Sequence, residues 1–92
     1  GGLVENIPRI LPDGCGVEIK KGSWPSLPVF DVMQSIGDVD EDEIYRTFNM
    51  GIGMVFIVNS VDVASVKNAL KDLMEVYGIG SVVSGEKRVS IL

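Results

Sequence analysis

Apolar positions along this chain alternate between helical and extended spacing, and the changes predict its elements. Leu3, Ile7, Ile10 and Leu11 fall on one helical face, with Glu5, Asn6 and Arg9 opposite. They predict a short helix from about Gly2 to Ile10, made irregular by Pro8, which lacks an amide donor. Pro12-Asp13-Gly14 reads as a turn and Val17 to Lys20 as a short strand. Lys21-Gly22-Ser23 then forms a loop, and Pro25 and Pro28 keep the segment after Trp24 extended. Trp24 itself is assigned to the core.

Val29, Val32, Met33 and Ile36 have the spacing of an amphipathic helix, with Pro28 in its first turn and Gly37 at its end. Asp40 and Glu43 resemble a capping box for a further short helix carrying Ile44 and Tyr45. Met54 to Val58 is an uninterrupted apolar run that reads as a buried strand. Asn59 or Ser60 caps the next helix, whose stripe is Val63, Val66, Leu70, Leu73 and Met74 and which Gly78 ends. Ile79–Val83 and Arg88–Leu92 read as strands joined by a hairpin turn at Ser84–Lys87. The fold class is therefore α+β: a layered mixed or antiparallel sheet with helices packed on it. Strands 55–58, 79–83 and 89–92 are expected in one sheet, with the 60–77 helix across a face and the last two strands paired antiparallel.

Length adds one constraint. A chain of 92 residues suits one domain or part of a larger one. The net charge of −5 and the scattered cations argue against a nucleic-acid partner. No run approaches the ~20 apolar residues of a membrane helix, so no membrane partner is expected. The densest charge, Asp38 to Glu43, suits a solvated helix start, where the dipole favours acids; metal binding is the minor alternative. With no histidine to activate it, the single cysteine, Cys15, is a packing residue rather than a nucleophile. One cysteine also precludes an internal disulfide, which favours a reducing compartment.

Two places carry candidate chemistry. Gly1-Gly2 stands directly before a helix, where free amides favour an anion. In "RTFNMGIGM", Arg46, Thr47 and Asn49 precede Gly51 and Gly53. Glycine beside polar groups suits close approach of a ligand to the backbone; alternatively, the two glycines bend the entry to a strand. Glu5 and Arg9 are either ligand contacts or a structural pair. Arg46 either meets a ligand or pairs with the acids of Asp40 to Glu43.

The segments "GGLVENIPRILPDG", "GSWPSLPVF", "EIYRTFNMGIGM" and "YGIGSVVSGEKRV" together resemble the C-terminal part of aminoimidazole ribonucleotide synthetases, the phosphoribosylformylglycinamidine cyclo-ligases. The resemblance runs in order over essentially all 92 residues. It implies that residues 1–92 are part of that family's C-terminal domain, without the N-terminal ATP-binding half. A family signature similar to His-Ile-Thr-Gly-Gly-Gly would be entered at its last two glycines.

The implied reaction is an ATP-dependent ring closure of formylglycinamidine ribonucleotide in purine biosynthesis, in the cytoplasm. ATP and Mg²⁺ are then held mainly by the other half, which also forms a homodimer, while self-association of the present piece is expected. By the same resemblance Gly1, Gly2, Glu5, Asn6, Arg9, Arg46, Thr47, Asn49, Gly51 and Gly53 line the substrate or phosphate site. No catalytic residue and no metal ligand is assigned, and Met50 occupies a position where related sequences often carry Cys. The competing readings are a related ATP-using enzyme (selenophosphate synthetase, thiamine-phosphate kinase or hydrogenase maturation type) and a non-catalytic, free-standing binding module.

Overall fold

The computed structural model describes all residues, Gly1–Leu92. Helix α1 (Leu3–Asn6) tightens into a 3₁₀ turn (Ile7–Ile10) as Pro8 enters. Strand β1 (Cys15–Ile19) follows, then α2 (Pro28–Gly37) and α3 (Glu41–Thr47). A 3₁₀ turn (Ser60–Asp62) leads into α4 (Val63–Leu70), and the chain closes with β2 (Gly80–Ser84) and β3 (Val89–Ile91). The fold is α+β, with helices accompanying a small mixed sheet.

That sheet has the order β2-β1-β3. β1 pairs antiparallel with β2, placing Cys15 opposite Ser84 and Ile19 opposite Gly80. It pairs parallel with β3, Val17 opposite Val89 and Ile19 opposite Ile91. The expected hairpin between the last two strands is therefore absent: β1 lies between them. Residues 85–88 cross over the start of β1, held by Gly85 N–H to the Gly14 carbonyl (2.9 Å) and Val17 N–H to the Arg88 carbonyl (2.9 Å). Gly16 makes the crossing possible, because a Cβ there would press on the Glu86 and Arg88 carbonyl oxygens. Outside this junction Lys87 Nζ meets Asp13 Oδ1 at 2.9 Å and lowers the Asp13 pKa, first by hydrogen bonding and then by charge.

The core is one cluster of Leu3, Ile7, Leu11, Val17, Ile19, Trp24 and Val89. Leu3, Ile7 and Leu11 of the first helical segment join β1 and β3 in this core, whereas Ile10, expected on the same face, is exposed because the 3₁₀ turn rotates it away; Ile19, in the doubly paired strand, is fully buried. Burying a side chain of this kind contributes about 1.5–3 kcal/mol.

Elsewhere the apolar pattern did not become core. Residues 54–58 form no strand, and Met54, Phe56, Ile57 and Val58 are exposed. A strand needs a ladder partner, and residues 54–58 pair with neither of the open outer edges that β2 and β3 leave. The helix expected to reach Tyr77 ends at Leu70 and buries no residue, so nothing spans the sheet face there. In α2 the stripe Val29, Val32 and Ile36 is exposed; the helix is held instead by Phe30, whose ring sits 6.1 Å from that of Phe48. Asp38, not Gly37, takes the left-handed position that closes α2. Asp40 precedes α3 without a side-chain cap bond, so the capping box does not form.

This leaves much apolar surface in water. The accessible area is 6435 Å², against roughly 5,200 Å² for a compact monomer of this size. Taken by itself the chain should therefore self-associate, and light scattering over a concentration series should show a mass that rises with concentration. A constant monomer mass would contradict this. Gly16→Ala should cost about 1–3 kcal/mol, as overpacking does, seen as a lower denaturation midpoint. A wild-type midpoint would mean that the 85–88 crossing yields freely.

Candidate functional site

The two glycine-bearing segments, far apart in sequence, meet in space. Gly2 is buried against the carboxyl end of α3. Its amide donates to the Arg46 carbonyl at 2.9 Å. A Cβ on Gly2 would collide with the carbonyl oxygens of Tyr45, Arg46 and Phe48. Only glycine lets the backbone come this close. The contact satisfies a carbonyl in the last turn of α3, one of the groups a helix end leaves open. It also means that the Gly2 amide is committed within the chain. Asn6 folds back over the same end, its Nδ2 donating to the Gly2 carbonyl at 2.9 Å, with Gly1 beside its carboxamide.

Immediately after α3 the chain makes a tight turn, Asn49-Met50-Gly51-Ile52, closed by Ile52 N–H to the Asn49 carbonyl at 3.0 Å. Met50 has φ +56° and Gly51 φ +91°. Positive φ at both central positions belongs to the primed turns, which suit glycine and asparagine. For Met50 the left-handed region costs roughly 1–2 kcal/mol, so something must hold it. Asn49 Oδ1 accepts the Gly51 N–H at 2.9 Å. Trp24 Nε1 donates to the Met50 carbonyl at 3.0 Å. Leu27 packs over Gly51, where a Cβ would lie 3.1 Å from its Cδ1. Sequence reasoning assigned Trp24 to the core, where it is, but missed its second task. The signal available was a Trp-Pro-x-x-Pro segment stiff enough to act as a brace.

The remaining expected residues lie in α1 and its 3₁₀ turn, in α3, and just after the Asn49 turn. Glu5 and Arg9 are exposed and make no ion pair, since the chain has become 3₁₀ by Ile7 and the four-residue helical spacing is lost. Arg46 is exposed at the end of α3 and pairs with none of Asp40 to Glu43; Lys21 takes Glu41 instead, at 3.0 Å. The Glu41 contact raises the Lys21 pKa, and Tyr45 is pushed up by burial first and then by the Glu41 charge. Thr47 Oγ1 donates to Glu43 Oε1 at 3.4 Å. A Cβ on Gly53 would meet nothing within 4 Å. Gly51 and Gly53 also stand at one end of an open groove of about 1000 Å³, walled mostly by apolar residues of segment 51–59, α4 and β2.

The end of α3 and the turn after it thus offer one unpaired guanidinium, Arg46, and one exposed carboxamide, Asn49, while the unpaired Arg9 lies in the 3₁₀ turn that follows α1. That equipment can bind and orient a polar or anionic ligand. It contains no nucleophile–base pair, and no three Cys, Asp or Glu side chains converge as a metal ligand set. No helix is long and apolar enough to cross a membrane.

Because Gly2 meets carbonyls and Gly53 meets open space, Gly2→Ala should lower thermal stability by several degrees while Gly53→Ala leaves it within about one. Equal melting shifts would mean that the Gly2 contact does not hold the two segments together.

Comparison with known proteins bears on the same residues. The whole chain, residues 1–92, matches the family described as AIR synthase related protein, C-terminal domain. It is 47% identical over 90 residues to a phosphoribosylformylglycinamidine cyclo-ligase of Brevibacillus brevis, covering 97% of this chain and 26% of that protein. It is 48% identical over 92 residues to the protein of that name from Acetivibrio thermocellus, covering 99% of this chain and 27% of the relative. The chain thus spans about a quarter of the length of these relatives.

Proposed function

The chain belongs to the AIR synthase related protein C-terminal domain family, and from that premise we propose that it is the C-terminal part of a longer, cytoplasmic phosphoribosylformylglycinamidine cyclo-ligase. The reaction closes the imidazole ring of purine biosynthesis: ATP activates an amide-type oxygen of formylglycinamidine ribonucleotide, a nitrogen of the same molecule attacks, and phosphate leaves with that oxygen. This chain supplies one wall of the cleft. The single observation that carries the reading is the junction at Gly2, which sets the start of α1, with Asn6 folded back on the Gly2 carbonyl, against the end of α3 that carries Arg46 and leads into the Asn49 turn.

The roles follow from the chemistry of the groups. Arg9 and Arg46 are unpaired cations suited to a ribonucleotide phosphate. Asn49 spends Oδ1 on Gly51 and keeps Nδ2 to donate outward. Gly51 and Gly53 let substrate approach the backbone, while Gly1, Glu5, Asn6 and Thr47 flank it. Gly2 serves by holding the two segments together rather than by binding. On this reading ATP, its magnesium and the homodimer contact belong to the remainder of the enzyme. The reading as a free-standing binding module has no feature of its own in the structure to favour it.

The test is kinetic. Phosphoryl transfer needs positioned cations and metal together, so the 92-residue chain alone should show no ATP hydrolysis dependent on formylglycinamidine ribonucleotide. In the full-length enzyme Asn49→Asp keeps the acceptor for the Gly51 amide but loses the outward donor. It should lower kcat/KM roughly ten- to a hundredfold at unchanged melting temperature, the scale of one or two hydrogen bonds to a polar ligand. Turnover by the chain alone, or normal kinetics in the variant, would overturn the assignment.

A further inference from the structure

We infer that Trp24 is a positioning residue: its indole N–H holds Met50 in the left-handed conformation that aims Asn49, so that the Trp24–Pro28 segment is a brace for the substrate-facing turn. This rests on the reading of Asn49 as a substrate contact. The turn lies at the end of α3 and has only two bonds of its own, Gly51 N–H to Asn49 Oδ1 and Ile52 N–H to the Asn49 carbonyl. Its central residue is a methionine at φ +56°, where an unbranched L-side chain has no means of its own to stay. The constraint comes from 26 residues earlier in the chain, through the 3.0 Å bond from Trp24 Nε1 to the Met50 carbonyl.

Three features make the donor a rigid one. Trp24 is buried among Leu3, Ile7 and Val17 in the core cluster, so the indole cannot follow a moving turn. Pro25 and Pro28 restrict the backbone that follows it. Leu27, between those prolines, closes over Gly51 and leaves 3.1 Å to where a Cβ would stand. The brace therefore touches both left-handed residues of the turn, one through a hydrogen bond and one through packing. An indole that served only the core would place its N–H in water or on a nearby carbonyl. Here it reaches the one carbonyl whose orientation is set by the strained residue.

The experiment uses the full-length enzyme and three variants. Trp24→Phe keeps an aromatic ring in the core and removes the donor. Hydrogen exchange of the Gly51 and Ile52 amides should then quicken roughly three- to tenfold, the worth of one hydrogen bond. The value of kcat/KM for formylglycinamidine ribonucleotide should fall by a similar factor. Adding Met50→Gly makes the left-handed conformation intrinsically accessible. The double variant should return both quantities to within about twofold of wild type. A purely structural tryptophan would lower the melting temperature without local exchange at residues 48–52, and glycine at position 50 would not rescue it; either result overturns the inference. Asn49→Asp separates the two layers. Normal kinetics there would sink the substrate-contact reading while the exchange pattern still tested the brace. Impaired Asn49→Asp kinetics beside an unaffected Trp24→Phe would sink the brace alone.

Discussion

β1 is the only strand with neighbours on both sides, and the packed part of the molecule is arranged around it. Its residue Ile19 is fully buried, and the first helical segment, Trp24 and β3 all gather on this strand. A central strand of five residues can be flanked by β2 and β3 only if the link between those two gets past its end. Four residues, 85–88, do this over Gly16, where any side chain would meet carbonyl oxygens. The missing Cβ at Gly16 leaves room for this crossing, and the missing Cβ at Gly80 lets β2 lie against Glu18 of β1.

A second close backbone approach does the equivalent work at the candidate site. Gly2 joins the start of α1 to the end of α3, and the turn that follows α3 inherits its position from that joint. Trp24 connects the two regions, since one face of its ring belongs to the core and its N–H reaches the turn. Rigidity in the core is transmitted to Asn49 through one side chain and one hydrogen bond. A site on a loop gains its geometry from the scaffold behind it, and here the scaffold element can be named.

The apolar surface outside the core lies in segments that do not pack on the sheet. Met54–Val58 pairs with neither open outer edge of β2 or β3, and α4 buries no residue. The stripe of α2 is in the same condition, held to the body mainly by Phe30 on Phe48. These segments have the composition of core elements, and two of them, Met54–Val58 and α4, help wall the groove lined by Gly51 and Gly53. The polar junction and the apolar groove adjoin at those two glycines.

What the sequence determined by itself is what depends on neighbours along the chain. Pro8 forces the change from α to 3₁₀, Pro28 opens α2, and the spacing of Leu3, Ile7, Ile10 and Leu11 marks a face that is buried at every position but Ile10. The α+β class and the family resemblance were legible for the same reason, because both are carried by residue types in order. The candidate residues around "RTFNMGIGM" were legible as polar groups next to glycines. What they do there was not. Whether Gly2 offers its amide or spends it on Arg46, whether Glu5 and Arg9 pair, and which carbonyl Trp24 reaches are all contacts between distant segments or products of local geometry. Strand pairing was equally out of reach: periodicity identifies a strand but not its neighbour, so Cys15–Ile19 entering between the last two strands could not be read from either of them. Burial of residues 54–58 and of the α2 stripe failed as expectations because an apolar pattern states what a segment would bury, whereas the tertiary structure decides whether anything is there to bury it against.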